Sequence, residues 1–349
     1  MPEPLEFKTI GQLEQLAERL EGWAYNYMMG GSASEATLRR NRRALERLAI
    51  EQQVLVDVRN IDLSTSFLGL DLPMPVIVAP MGSLHRFCPE GDLAMARGAG
   101  RDGVLSTVTG VCAWPMEQIA AEASGPLMFQ LYHQGPRDWV GPRLDRVQSC
   151  PQYRAVCLTV DSAVYSRRDR DLAANFVANS SLNRDGLPEP PNPDRFYPAQ
   201  LTWDDVDWLK RQLRVPFGLK GIMTAADARR ALDHGVDFIW ISNHGGRQLD
   251  DGRATIDVLP EIAAAVAGRV PIVVDGGFTR GADVIKGLAL GATAVAMGKA
   301  VAWGIAAAGA TGVQQMLALI REELHIALAL SGHTSVRSLT PDAVRKIDY

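Results

Sequence analysis

Cysteine is scarce and unpatterned. Cys88, Cys112, Cys150 and Cys157 are the only four in 349 residues, and none stands in a CxxC or Cys/His spacing that would ligate zinc. A chain of this length can bury a core large enough to fold without covalent staples, so the four read as reduced thiols of a cytoplasmic protein, and no metal is expected. Excess charge is missing too. A net charge of −4 excludes the basic footprint of a nucleic-acid binder and a basic membrane patch, which leaves small metabolites as the expected partners. No apolar run approaches the ~18 residues that a membrane span requires; the Ala-rich stretch Val301–Ala310 is short and carries Trp303 and two glycines. The N-terminal MPEPLEFKTI is acidic and mixed, without the basic-then-apolar order of a secretory leader.

What is present is a repeat of short apolar runs alternating with amphipathic segments. Strands are expected at Val76–Ala79, Val104–Val108, Leu127–Leu131, Ala155–Val160, Phe217–Lys220, Phe238–Ser242, Pro271–Asp275 and Thr293–Met297, with helices such as Thr224–His234, Ile256–Ala267 and Gly281–Leu290 between them. Continuously apolar strands imply burial on both faces, as in parallel α/β sheets. Eight strand-then-helix units predict a (β/α)8 TIM barrel, with a helical N-terminal segment over 1–70, the barrel over 71–330 and a tail over 331–349. The one GxGxxG, from Gly98 to Gly103, ends a helical segment and precedes a strand. That is the reverse of the dinucleotide-binding order, so a doubly wound fold is the weaker reading.

Catalytic groups of such barrels gather at the C-terminal strand ends. Here those ends carry Pro80, Met81 and Gly82, then Thr109, Gln130 with Tyr132, Thr159 with Asp161, Lys220, Ser242 with His244 and Arg247, Asp275, Gly276 and Gly277, and Gly298 with Lys299. Each has an ordinary explanation when taken singly: Asp-Gly turns end strands, and a strand-end lysine snorkels to water. That all eight ends are polar, ionisable or glycine is poorly explained by eight coincidences.

The stretch SNHGGRQLD, residues 242–250, follows an apolar strand and places His244 three residues before Arg247. A guanidinium fits a carboxylate bidentately, and a histidine oriented by Asp161 takes a proton near neutral pH. Together they suggest proton abstraction from an acid with an adjacent hydroxyl. The glycine-rich ends of the last two strands, with Arg280 and Lys299 nearby, suit a phosphate, and Lys220 suits negative charge developing on a reduced ring. That is the layout of a flavin mononucleotide site.

The chain resembles the FMN-dependent 2-hydroxy-acid oxidase/dehydrogenase family, which includes glycolate oxidase, lactate oxidase and mandelate dehydrogenase. The resemblance is carried, in family order, by Tyr25–Tyr27, Asn60–Asp62 with Thr65, Ala79–Pro80, Pro89–Gly91, Phe129–Tyr132, Leu158–Asp161, Leu219–Gly221, Ser242–Asp250, Asp275–Gly277 and Leu288–Gly291. It implies His244 as base with Asp161 as its partner, Arg247, Arg168 and Tyr27 on the substrate carboxylate, and Tyr132 on the substrate hydroxyl. It further implies Lys220 at the flavin N1/O2 edge, Gln130, Thr159 and Ser242 on ring or ribityl atoms, and Asp275, Gly277, Gly298 and Lys299 on ribityl and phosphate. Pro80, Met81, Gly82, Thr109, Gly276, Thr279 and Arg280 complete the implied FMN contacts. The reaction implied is oxidation of an (S)-2-hydroxy acid to the 2-oxo acid, with electrons passed to O2 or another acceptor by a homotetramer or octamer.

Several positions depart from the family pattern. Thr279 and Lys299 stand where arginines usually meet the phosphate, and lysine binds as a point charge rather than a fork. Gly82 stands where many oxidases carry alanine, Thr109 replaces a serine with Ser106 as a rival, and Cys88 replaces a common histidine. The long connection from about 162 to 202 begins with Arg167 and Arg168 and is expected to be a lid over the substrate, with Tyr165 and Val111 beside the substrate side chain. It lacks the apolar insert of membrane-bound relatives. Two other readings are a diphosphate-isomerase-like FMN barrel, which has no use for a carboxylate clamp, and a flavin-binding barrel without catalysis, which would need a catalytic position replaced.

Overall fold

The computed structural model describes residues 7–175 and 197–347. Three helices come first: α1 (Ile10–Ala17), α2 (Gly22–Met29) and α3 (Ala36–Glu46). Thr9 caps α1 by accepting from the Gln12 N–H while the Gln12 side chain reaches back, a reciprocal pair that satisfies two orphan donors. After β1 (Leu48–Ile50) comes a hairpin, β2 (Thr65–Phe67) and β3 (Leu70–Leu72).

The alternating units follow: β4 (Val76–Val78), α4 (Gly91–Arg101), β5 (Ser106–Thr109), α5 (Met116–Glu122), β6 (Leu127–Leu131), α6 (Arg137–Ser149) and β7 (Tyr153–Thr159). A short α7 (Asp169–Ala173) opens the long connection, and α8 (Trp203–Gln212) closes it. Then come β8 (Phe217–Ile222), α9 (Ala225–Asp233), β9 (Phe238–Ile241), α10 (Thr255–Val266), β10 (Ile272–Val274), α11 (Gly281–Ala289), β11 (Ala294–Met297), α12 (Lys299–Ser331) and β12 (Val344–Lys346).

Strands β4 to β11 form a closed, wholly parallel barrel, with β11 hydrogen-bonded to β4. This is the (β/α)8 barrel expected, and the expected strands lie within a few residues of those observed. The glycines from Gly98 to Gly103 end α4 and turn into β5, so the fingerprint reading is excluded by context.

Inside the barrel, small side chains (Ala79, Ala155, Cys157, Ala294, Ala296) face two large aromatics, Phe238 and Trp240. Gly218 makes room for Phe238: a Cβ there would lie 2.6 Å from the Phe238 ring. Phe67 and Leu72 of the hairpin join this cluster, and because the hairpin runs straight into β4 it plugs the N-terminal end. The opposite end is left for polar groups.

The stretch Lys299–Ser331 is long and apolar enough to cross a bilayer by length and composition. Its backbone breaks at Ala308 and Gly309, and Val313, Met316, Leu317, Ile320, Leu324 and Leu328 on its second half bury in the main core. It is two core helices joined at a kink. The tail folds back as well, and β12 pairs antiparallel with β1.

Candidate active site

Six buried side chains at the ends of neighbouring strands form two hydrogen-bonded rows. Thr109 Oγ1 donates to Gln130 Oε1 at 2.7 Å, and Gln130 Nε2 donates to Thr159 Oγ1 at 2.8 Å. Thr109 is the last residue of β5 and Ser106 the first. Beside them Lys220 Nζ donates to Ser242 Oγ at 2.9 Å, and Ser242 Oγ donates to Asp275 Oδ1 at 2.8 Å. The other Asp275 oxygen accepts from the Trp240 indole at 3.0 Å and lies 3.5 Å from Lys220 Nζ. Burial opposes a charge on Lys220, but Asp275 and Asp161 outweigh it and raise its pKa. Lys220 is a fixed cation.

His244 stands over this floor. Its Nδ1 is 3.0 Å from Asp161 Oδ1 and its Nε2 is 3.3 Å from Tyr132 Oη. Burial lowers the His244 pKa, with Asp161 working against that and Lys220 adding to it, so the ring is neutral at pH 7. An anionic Asp161, held low by His244 and Lys220 despite burial, assigns the ring proton to Nδ1. Nε2 then carries a lone pair toward the mouth, as a base requires. The backbone is left-handed at His244 (φ 59°), and the amide N–H donates to Ser242 Oγ at 3.0 Å. A non-glycine residue there costs about 1–2 kcal/mol, and such strain collects where a side chain must be aimed.

Two arginines face the same space. Arg247 Nη1 donates to the carbonyls of Tyr27 and Gly30, both at 2.7 Å, and its guanidinium lies 4.9 Å from the Tyr27 ring centroid. Arg168, nearly buried, donates to Tyr165 Oη at 3.1 Å and sits 4.0 Å from Asp171. Burial, and then the neighbouring Arg168, press against the charge on Arg247. Two confined cations with one nearby carboxylate make a site that favours an anion. Tyr27 Oη reaches the Gly82 carbonyl at 3.4 Å, and a Cβ added at Gly82 would meet Val111 at 3.7 Å and Tyr27 Oη at 3.8 Å.

The phosphate end differs from expectation. The Arg280 side chain is 56% exposed and its Nε pairs with Glu323 at 3.0 Å, so it is not brought to the mouth. Thr279 Oγ1 lies 3.4 Å from Arg42, whose guanidinium grips Asp283. Lys299 Nζ donates to the Met29 carbonyl at 2.7 Å; burial, with Arg247 and Arg170 nearby and Glu35 in opposition, pushes its pKa down to about 7. Gly276, Gly277 and Gly298 stand at the ends of β10 and β11, and Pro80 and Met81 follow β4. Met81 lies against Gly298: a Cβ added at Gly298 would be 3.6 Å from Met81 Sδ.

Some positioning residues were missed from sequence. Asn41 of α3 and Asn243 exchange amide hydrogen bonds of 2.9 and 2.8 Å, and Asn41 Oδ1 also accepts from the Thr255 N–H. Asp250 accepts from the Thr37 N–H at 2.8 Å and from Ser34, and so caps α3 from across the chain. An uncharged Asn inside the basic run RRNRR was the available signal for Asn41. Of the lid, only 162–175 and 197–202 fall within the described residues. In them Ser166 Oγ donates to the Arg247 carbonyl.

The row of amide and hydroxyl groups beside a fixed cation fits a flavin ring, whose edge alternates donors and acceptors. The glycine ends fit a phosphate approached by backbone N–H groups. A family model described as FMN-dependent dehydrogenase matches residues 16–346. A peroxisomal (S)-2-hydroxy-acid oxidase of Oryza sativa subsp. japonica is 40% identical over 345 residues, covering 95% of this chain and 94% of that protein. An L-lactate oxidase of Nostoc sp. is 38% identical over 352 residues, covering 95% and 96%. Among solved structures, a mandelate oxidase variant with (S)-mandelic acid superposes with a TM-score of 0.88 at 36% identity, covering 97% of this chain and 98% of that one.

Proposed function

The chain belongs to the FMN-dependent dehydrogenase family, and from that premise we propose that it oxidises (S)-2-hydroxy acids to 2-oxo acids, with its FMN reoxidised by dioxygen to give hydrogen peroxide. The observation that carries this reading is the His244 imidazole, held by Asp161 through Nδ1 and presenting Nε2 beside Tyr132. FMN, when bound, supplies the two-electron acceptor.

Arg168 and Arg247 hold the substrate carboxylate, with Tyr27 at its side. Nε2 of His244 takes a proton from the acid; Asp161 favours the imidazolium that results, since a carboxylate at 3.0 Å stabilises the cation. Tyr132 lies within reach of the substrate hydroxyl, and burial raises its pKa, so its phenol stays protonated as a donor. Gln130, Thr159 and Ser242 would hold the flavin ring or ribityl, Lys220 would supply positive charge to the ring, and Gly277, Gly298 and Lys299 would receive the phosphate end. We place the enzyme in solution in the cytoplasm, as a homo-oligomer of four or eight chains.

A second outcome, transfer of electrons to another acceptor, is favoured by one residue. Gly82 leaves open the place where an alanine methyl would stand in ordinary contact with Val111. The deciding experiment is anaerobic bleaching of the flavin absorbance with glycolate, lactate, mandelate and longer 2-hydroxy acids, followed by admission of oxygen. Bleaching by at least one acid is expected, with rapid return of colour and peroxide in air. His244→Ala is expected to keep FMN and lose reduction by at least ~100-fold, within the range for removal of a general base. Fast reduction in that variant would rule out His244 as the base, and slow return of colour would favour the other acceptor.

A further inference from the structure

We propose that Trp240 is a positioning residue for Lys220, acting through Asp275 to keep the lysine ammonium at the mouth of the barrel and so to set how readily the bound flavin accepts electrons. The proposal rests on the reading of this mouth as the FMN site.

The barrel interior mixes small side chains with Ile77, Leu105, Met128 and Phe238, and Trp240 is fully buried among them, two residues before Ser242 of the polar rows. Filling that volume needs only carbon. A tryptophan adds one N–H, and inside a barrel that donor must find a partner. It finds Asp275 Oδ2 at 3.0 Å, while Asp275 Oδ1 accepts from Ser242 and Thr255 Oγ1 donates to the Asp275 backbone carbonyl. The carboxylate is held at both ends.

Lys220 is the group that this arrangement affects. Its Nζ is 2.9 Å from Ser242 Oγ but 3.5 Å from Asp275 Oδ2, the oxygen already satisfied by the indole. The Trp240 ring lies 5.7 Å from the same ammonium, so it offers a cation–π contact as well. Remove the indole N–H, and Oδ2 is left buried with an unmet lone pair. Such a group carries a desolvation cost that the nearest donor can relieve, and that donor is Lys220. The ammonium is then drawn down onto Asp275 and away from the place where negative charge develops on a reduced ring. The indole thus keeps the lysine and its counter-ion apart.

The test is made on the holoenzyme with Trp240→Phe, which keeps the ring and removes the donor. The midpoint potential of the bound flavin is measured anaerobically against reference dyes. We expect the reduction equilibrium to fall roughly tenfold, about 30 mV more negative for a two-electron couple, with kcat reduced and KM within twofold. Trp240→His, which restores a ring N–H, recovers part of the loss. In a Lys220→Met background, Trp240→Phe makes no further difference. A potential unchanged in Trp240→Phe overturns the proposal, as does a shift that persists without Lys220, since a purely structural role would survive that removal. If the phenylalanine variant does not fold, the same cycle with Trp240→Leu decides by the same criteria. A wild-type chain that takes up no FMN overturns the parent reading together with this one, whereas normal uptake with no response to the substitutions overturns this one alone.

Discussion

The Lys299 amine lies under cover against the Met29 carbonyl. Its pKa of about 7 lies below the ordinary 10.5, so between those values the unfolded chain holds a proton that the folded, FMN-free chain lacks. Stability of that form therefore rises with pH across the window and falls as pH drops through 7. A phosphate dianion has the opposite preference and restores the charge, so FMN uptake draws in a proton. The expected outcome is an FMN dissociation constant that climbs from pH 7 toward pH 9.5, by at most about tenfold per unit for one proton. Lys299→Arg should flatten the curve, because guanidinium stays charged. Fluorescence quenching of free FMN reads both, and a flat wild-type curve would remove Lys299 from the phosphate site. At this scale the sequence was partly legible. His244, Asp161 and Arg247 could be placed from strand ends and from one nine-residue stretch. The Asp275 carboxylate accepts from Ser242 and Trp240 with Lys220 Nζ 3.5 Å away, an arrangement that depends on three strands whose register no local pattern reveals.

At the scale of elements, the two glycines of SNHGGRQLD have different jobs. Gly246 passes under α3: a Cβ there would lie 2.5 Å from the Leu38 amide nitrogen, at a φ of +76°. Gly245 is also left-handed, at +65°, yet a Cβ there would meet nothing within 4 Å. Gly245→Ala should therefore cost about 1–2 kcal/mol for the backbone alone. Gly246→Ala should add about 1–3 kcal/mol of overpacking and loosen α3 from the loop. Urea unfolding of the two variants compares them, and equal losses would refute the packing account. Strands and helices were readable because continuous apolar runs and capping residues are local signals. The seam between α3 and the loop was not, because the Asn41–Asn243 pair joins residues about two hundred apart.

For the whole molecule, the polar mouth concentrates charge: Lys220 is balanced by Asp275 and Asp161, whereas Arg168 and Arg247 share Asp171. A ligand that binds only the folded chain stabilises it by about 2.7 kcal/mol at a hundredfold excess over its dissociation constant. Adding FMN to FMN-free protein should raise Tm by several degrees in a thermal melt, and riboflavin, which lacks the phosphate, by less. Equal shifts would mean that the phosphate end contributes nothing. The barrel was legible from its eightfold alternation. The kinked α12 and the closing strand β12 were not, because the break at Ala308 and Gly309 and the β1 pairing answer to packing partners elsewhere in the chain.

That closing strand joins the far ends of the fold at one seam. Tyr27 and the carbonyls that Arg247 and Lys299 grasp lie on the segment before the barrel, and that segment leads into β1, whose partner is residues 344–346. Loss of the β1–β12 pairing should therefore loosen the grip on Arg247 and Lys299 while the eight-stranded barrel, which shares no hydrogen-bonded strand with that pair, stays closed.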